Sequence, residues 1–334
     1  MTGTVAVIGA GMAGLAAATE LCRSGVRVQV FDKGRRPGGR VSTRVHPGFF
    51  FDHGCPYFTA GDSEFVRVVA SWEAKGWIAA WPGRFVRLSP GGPRKPVDCD
   101  EARWVGVGGM GTFAARVAEA LPVHSGVAIT SITGGPGSWR LHAADQDLGA
   151  FSKVLVAVPP PQVAALFAGD TFREVASIGR VDMNPCWAVM AGFGERLNLP
   201  FDAVEFDDDV LVWSANQRSK PGGCEGEAWV LHATLEWSAS HLESSGEGIA
   251  ELLLHRWHDL LGTARVSPVH LAAHRWRFAR PARIRNERFH LDAERGIGLC
   301  GDGLRDGRVE GAYLSGLQLA RALLHEDRSC QQTP

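Results

Sequence analysis

Three glycines near the start of the chain, Gly9, Gly11 and Gly14, stand in G-x-G-x-x-G spacing, and Asp32 follows at the end of the next apolar run. In such a turn the first glycine allows the tight bend. The second lets a pyrophosphate approach the backbone, and the third lets helix and strand pack closely. The helix start at Met12 and Ala13 then offers free N–H groups and a partial positive charge to phosphate. Asp32, with Lys33 beside it, is placed to take ribose hydroxyls, and an acid there disfavours a 2′-phosphate. The spacing alone is a weak signal. Here it follows an apolar strand pattern (Val5 to Ile8) and opens a helix pattern (Leu15 to Leu21), which makes it a dinucleotide fingerprint.

Gly38-Gly39-Arg40 follows the second strand. A guanidinium matches phosphate oxygens, although read in isolation Arg40 serves equally as a solvated loop charge. The placement resembles flavin amine oxidases and their relatives, in which a G-G-R sends its arginine to the flavin side of the pyrophosphate. That resemblance favours FAD over NAD. A second segment supports it: a strand pattern, Ile297 to Asp302, ends in Gly301-Asp302, and Arg308, Val309, Glu310, Gly311 and Ala312 open another helix. In this flavoprotein class the Gly-Asp carboxylate accepts a ribityl hydroxyl, and the helix N-terminus points at the pyrimidine end of the ring. A helix N-terminus is worth about 0.3–1 kcal/mol to a nearby anion. Small residues recur four apart, at Gly311 and Ser315 and at Ala312 and Gly316, on shared helix faces. By themselves they fit tight packing as well as close approach of a ligand.

The elements that must position these residues alternate strand and helix at both ends of the chain. A helix is expected from Glu64 to Lys75, another from Thr112 to Leu121, small strands at Val127–Ile129 and Trp139–His142, and a buried strand at Val154–Val158. From about Ala168 to Arg288 strand patterns surround one helix, Gly248 to Leu261. The expected organisation is an FAD-binding unit assembled from 1–60, 102–166 and 289–326, a substrate unit from 61–101 and 167–288, and a frayed tail from Asp327. The expected fold class is an α/β FAD-binding Rossmann-type domain with an α+β substrate domain.

Composition sets bounds. The chain has 334 residues and a formal net charge of -1, so no basic excess points to nucleic acid or to an anionic membrane. No run of about 18 apolar residues suggests a membrane span. The first strand starts too early for a leader before it, so a cytoplasmic location is expected. Seven cysteines, an odd number without C-x-x-C, argue against a disulfide framework or a metal site. Eleven tryptophans against two tyrosines suit either core or a slot for a flat ligand.

Longer strings then carry a family resemblance. Gly9 through Arg40, Phe51-Asp52-His53-Gly54-Cys55-Pro56-Tyr57-Phe58-Thr59, and Arg103-Trp104-Val105-Gly106 with Gly109-Met110 resemble the bacterial renalases. So do Leu231-His232-Ala233-Thr234, His274-Arg275-Trp276 with Ala279-Arg280-Pro281, and Gly301-Asp302 with Gly307 through Ala312. The resemblance covers essentially the whole chain. It implies a p-hydroxybenzoate hydroxylase-like fold whose substrate domain is built on an antiparallel sheet, and non-covalent FAD. It implies oxidation of 2- and 6-dihydro isomers of NAD(P), with NAD(P)+ and hydrogen peroxide as products. It also implies adenine near Gly126-Val127 and the stretch Tyr57, Phe58, Thr59 beside the flavin. Pro56, where relatives often carry Gln, and Gly303-Leu304, where they carry a bulky residue, depart from the pattern and bear on the substrate.

A dihydropyridine needs no base, because aromaticity of the product drives hydride loss and orientation is the main demand. Trp187, Trp213, Trp237, Trp276 and Phe278 are candidates for a flat slot, and Arg218, Lys220, Arg275, Arg277 and Arg280 for phosphate recognition. Trp276 with Arg275 and Arg280 is the favoured set. His232 and His274 read as structural hydrogen-bonders before acids or bases. The main alternative is a flavin amine oxidase or desaturase of a small metabolite. It usually places an aromatic ring just before Glu-Gly-Ala, where this chain has Gly307-Arg308. A hydroxylase and a non-enzymatic flavin binder are the remaining alternatives.

Overall fold

A computed structural model of the chain describes residues 3–97, 101–144, 146–167 and 181–332. Two compact units emerge, one from residues 1–39, 114–183 and 280–334, the other from 40–113 and 184–279. Residues 40–60 and 102–113, expected with the first unit, group instead with the second. The reason is visible in its packing: Phe58 exchanges backbone hydrogen bonds with Trp104, and its ring packs on Phe65, Trp72 and Phe113.

The first unit is organised by a six-stranded sheet. Its order is His290–Asp292, Ile297–Leu299, Lys153–Val156, Thr4–Ile8, Arg27–Asp32, Val123–Ser125, and all pairs but the first are parallel. The central strand Thr4–Ile8 is paired on both edges and covered on both faces, which explains its unbroken apolar run. On one face lie the first helix, Met12–Arg23, and the last, Val309–Gln332. They meet backbone to backbone: a Cβ on Gly316 would lie 1.9 Å from the carbonyl oxygen of Ala13. The small residues of the last helix therefore serve packing at Gly316. The other face is covered by a three-stranded antiparallel sheet, Ser131–Gly135, Ser138–Ala143 and Gln146–Phe151. Val127–Ile129, expected as a strand, lies outside it. The chain beyond Asp327, expected to fray, continues the last helix to Gln332.

The second unit is built on a seven-stranded sheet: His270–Pro281, Met183–Phe193, Glu227–Ala233, Leu211–Asn216, Ala203–Phe206, Phe85–Leu88, Lys95–Pro96. It is antiparallel at the pairs of its centre, but Ala203–Phe206 pairs in parallel with Phe85–Leu88. The helix Gly246–Leu261 covers one face, capped by Ser245 Oγ and stopped by Gly262 in the left-handed conformation. It buries Ile249, Leu253, Leu254, Trp257 and Leu261 against Val189, Trp229 and Leu231. Burying each such side chain contributes about 1.5–3 kcal/mol. The opposite face carries Met190, Val230 and Phe51, the last from a hairpin of Arg44–His46 and Phe49–Phe51.

Candidate functional site

The glycine turn of the first unit is shaped as its spacing predicts. Gly9 has φ +103°, and a Cβ there would lie 2.7 Å from the Ala157 carbonyl oxygen. A Cβ on Gly14 would lie 1.9 Å from the oxygen of Gly9. Gly11, by contrast, faces open space. No side chain caps the first helix at Gly11 and no acid occupies its first turn. The N–H groups at Met12 and Ala13 are thus the uncapped end of a helix dipole, which suits phosphate.

Asp32 ends the second strand and organises this turn. Its two carboxylate oxygens accept the N–H groups of Ala10 and Gly34, each at 2.6 Å. A carboxylate offers about four acceptor sites, so lone pairs remain for ribose hydroxyls. Lys33 reaches Gln162 Oε1 at 3.2 Å. The N–H of Val127 is taken by the Asp32 carbonyl at 2.9 Å. Gly38 donates to the Ala10 carbonyl at 2.8 Å, and a Cβ on Gly39 would lie 3.5 Å from the Cα of Gly11. The sequence-distant Gly-Gly pair therefore lies alongside the phosphate turn. Arg40 donates from Nη1 to the Ala279 carbonyl at 2.8 Å.

The second segment also takes its expected form. Gly301 has φ +147° and open space at its Cβ position, and Asp302 behind it is buried. Ser315 Oγ links this strand end to the neighbouring segment: it accepts the Gly301 N–H at 2.9 Å and donates to the Arg288 carbonyl at 2.5 Å. Val309 and Ala312 pack inward, whereas Arg308 is exposed. A Cβ on Gly303 would lie 2.7 Å from Pro160, so the departure there is a steric requirement of this chain. Cys300 is buried, and burial pushes its thiol up to about 12. The open glycine face, the uncapped helix and the paired carboxylates form a donor and acceptor set that fits an FAD.

In the second unit the substrate candidates separate. Trp276 Nε1 donates to the His53 carbonyl at 2.8 Å, and its ring stacks on His53 and meets His274 edge-on. His232 is buried with Nε2 3.2 Å from the same carbonyl, so Nε2 carries the proton. Burial lowers His53 to about 3 and His232 and His274 to about 4, with further lowering of His53 by His274 and of His274 by Arg44. These imidazoles are neutral structural groups. Tyr57 lies against Trp213, with Thr59 following in the same loop.

Five of the candidates are engaged elsewhere. Trp187 is core, with Nε1 bound to the His241 carbonyl, because its strand turns that face to the helix Gly246–Leu261. Arg275 is held by Glu243 and the Leu242 carbonyl and lies over Trp187, so it is not free to read phosphate. Arg277 pairs with Glu243 as well. Phe58 is core, packed on Phe65, Trp72 and Phe113. Lys220, a further phosphate candidate, is buried against Asp52 at 2.8 Å and the Pro56 carbonyl at 2.9 Å. That pair, 168 positions apart, had no sequence signal beyond the presence of both charges.

Among the described residues no helix is long and apolar enough to cross a membrane, and no group of three His, Cys, Asp or Glu is placed to hold a metal. Comparison with known proteins gives two family matches: NAD(P)-binding Rossmann-like domain over residues 7–72, and flavin containing amine oxidoreductase over 91–324. A 50-residue stretch is 48% identical to a 4,4′-diapophytoene desaturase of Staphylococcus haemolyticus, covering 15% of this chain and 10% of that protein. A 43-residue stretch is 56% identical to lysine-specific histone demethylase 1 homolog 2 of Oryza sativa subsp. japonica, covering 13% and 6%. The chain therefore aligns with only a tenth or less of the length of these curated relatives. In structure it is similar to a candidate protoporphyrinogen oxidase from Exiguobacterium (TM-score 0.79, 13% identity, 98% of this chain and 99% of that one). It is also similar to a putrescine oxidase variant (TM-score 0.75, 16% identity, 97% and 99%). At such identities the likeness is one of fold. The chain belongs to the flavin containing amine oxidoreductases, and its cofactor is FAD.

Proposed function

We propose that the chain is an FAD-dependent oxidase of dihydronicotinamide nucleotides, acting on the 2- and 6-dihydro isomers of NAD(P). FAD, when bound, supplies a hydride acceptor at N5 that O2 reoxidises with release of hydrogen peroxide. In this reading the turn Gly9 to Gly14, Asp32, Lys33, Gly39 and Val127 hold the adenosine and pyrophosphate end without a covalent link. Gly301, Asp302 and the helix start at Arg308, Val309 and Ala312 hold the ribityl and ring end. Trp276, fixed by its bond to His53, offers a flat apolar wall. Burial keeps the imidazoles near it, His53, His232 and His274, neutral at pH 7, which suits a hydride transfer that needs no general acid.

The observation that carries this reading over amine oxidation is at Gly307. It has φ +73°, and a Cβ there would lie 2.7 Å from Pro281 Cδ. An aromatic cage residue cannot occupy that position, and Arg308 after it is exposed. Arg280 lies beside this loop, its Nε 3.7 Å from that Cβ position, and remains the favoured set's arginine for substrate phosphate.

The test is anaerobic mixing with candidate reductants while the flavin's visible band is followed. The 6- or 2-dihydro forms should bleach it far faster than the 4-dihydro form or any simple amine, because a displacement of about 1 Å at the reacting atoms can cost roughly 100-fold in rate. Rapid bleaching by a primary amine, with none by any dihydronicotinamide, would replace this reading with amine oxidation.

A further inference from the structure

In the first unit, a cleft of about 300 Å³ opens between the loop Ile284–Arg288 and the turn Arg305–Asp306. Ile284, Arg285, Asn286, Arg288, Arg305 and Asp306 line it. Its charges do not balance internally. Asp306 Oδ1 is engaged by the backbone N–H of Arg308 at 3.0 Å, at the start of the last helix. Glu287, behind Arg285, is shared between Arg285 Nη2 at 3.0 Å and His290 Nε2 at 2.8 Å. Arg305 Nη1 is buried with no acceptor. Among the described residues the exposed guanidinium of Arg288 has no carboxylate or carbonyl partner.

The walls are tied before any ligand arrives. The Arg285 N–H donates to the Arg305 carbonyl at 2.8 Å, and Ser315 Oγ fixes the Arg288 carbonyl. Three arginines, Arg285, Arg288 and Arg305, thus line one small space with their backbones held. Guanidinium forks match phosphate oxygens and can bind them in pairs.

We propose that this cleft is a phosphate-binding subsite and that it takes the pyrophosphate of the dinucleotide substrate; the second half of this statement rests on the substrate reading above. None of its lining residues belongs to the glycine turn assigned to the FAD pyrophosphate. Arg280 borders the same loop at Gly307 and extends the positive surface.

The experiment is calorimetric titration of inorganic pyrophosphate into holoenzyme at low ionic strength. Saturable binding is expected, weakened about tenfold or more by Arg305→Met and by Arg288→Met. Arg283→Met, at an exposed position that does not line the cleft, should leave it unchanged. Flavin absorbance and melting temperature verify that each variant is folded. Should Arg305→Met fail to fold, the exposed Arg288 carries the comparison. Pyrophosphate should also slow bleaching by a 6-dihydro dinucleotide and not by a phosphate-free N-alkyl dihydronicotinamide. Absence of saturable binding, or unchanged affinity in both cleft variants, overturns the subsite. Bleaching by dihydro dinucleotides that pyrophosphate does not slow overturns its assignment to the substrate while the substrate reading stands. Arginine-dependent binding without bleaching by any dihydronicotinamide upholds the phosphate site and removes the substrate reading.

Discussion

Replacing Lys220 by methionine should destabilise the second unit by about 3–5 kcal/mol, the range for breaking one half of a buried ion pair. The side chains of Lys220 and Asp52 are 1% and 0% exposed. Asp52 Oδ1 accepts Thr43 Oγ1 at 2.6 Å and the Met110 N–H at 2.8 Å, while Oδ2 has the ammonium at 2.8 Å. Methionine keeps most of the volume, so cavity formation contributes little. The loss comes from a buried carboxylate without its counter-charge and from the Pro56 carbonyl without its donor. Lys220→Met with Asp52→Asn removes the stranded charge and should recover at least half of the loss. The assay is urea unfolding in saturating FAD, followed by tryptophan fluorescence. Of the eleven tryptophans only Trp139 lies in the first unit, so the signal reports the second. A loss under about 1 kcal/mol for Lys220→Met, the size of an exposed pair, would refute the argument that this pair is dry and structural.

Four further outcomes are expected. Asp32→Ala should purify with less FAD, read as the ratio of flavin to protein absorbance, because it removes ribose acceptors and releases the N–H groups of Ala10 and Gly34; full occupancy would count against the assignment. Stability should fall as pH drops from about 6.5 toward 4. His53, His232 and His274 have folded values of about 3, 4 and 4, below the ordinary 6.5, so the unfolded chain binds protons in that window that the native chain refuses. Above 6.5 the effect is complete and flat, and a stability unchanged between pH 7 and 5 would contradict it. Cys300, buried and pushed to about 12, should resist thiol reagents at pH 8 in the native protein. Acid precipitation should also release all of the flavin, and a Cys300 adduct or a yellow pellet would show otherwise.

The FAD-binding fingerprint was legible because it is local. Gly9, Gly14 and Gly301 sit where backbone geometry or close approach excludes a side chain, and such constraints act over a few residues. Asp32 was found for the same reason, although its bonds to Ala10 and Gly34 appear only once the turn is folded. The strand His270–Pro281 shows what motif spacing does not carry. Arg275 and Trp276 are adjacent in the strand His270–Pro281, and adjacent strand residues point to opposite faces. Trp276 joins His53, His270 and His274 on one face, and Arg275 turns to Trp187 and Glu243 on the other. Motif spacing does not say which face is which. The ion pair of Asp52 with Lys220, the parallel pairing of Phe85–Leu88 with Ala203–Phe206, and the grouping of 40–60 with the second unit join residues far apart in sequence. Only the tertiary structure decides these, because charge pairing, strand register and burial depend on what the chain brings back beside each residue.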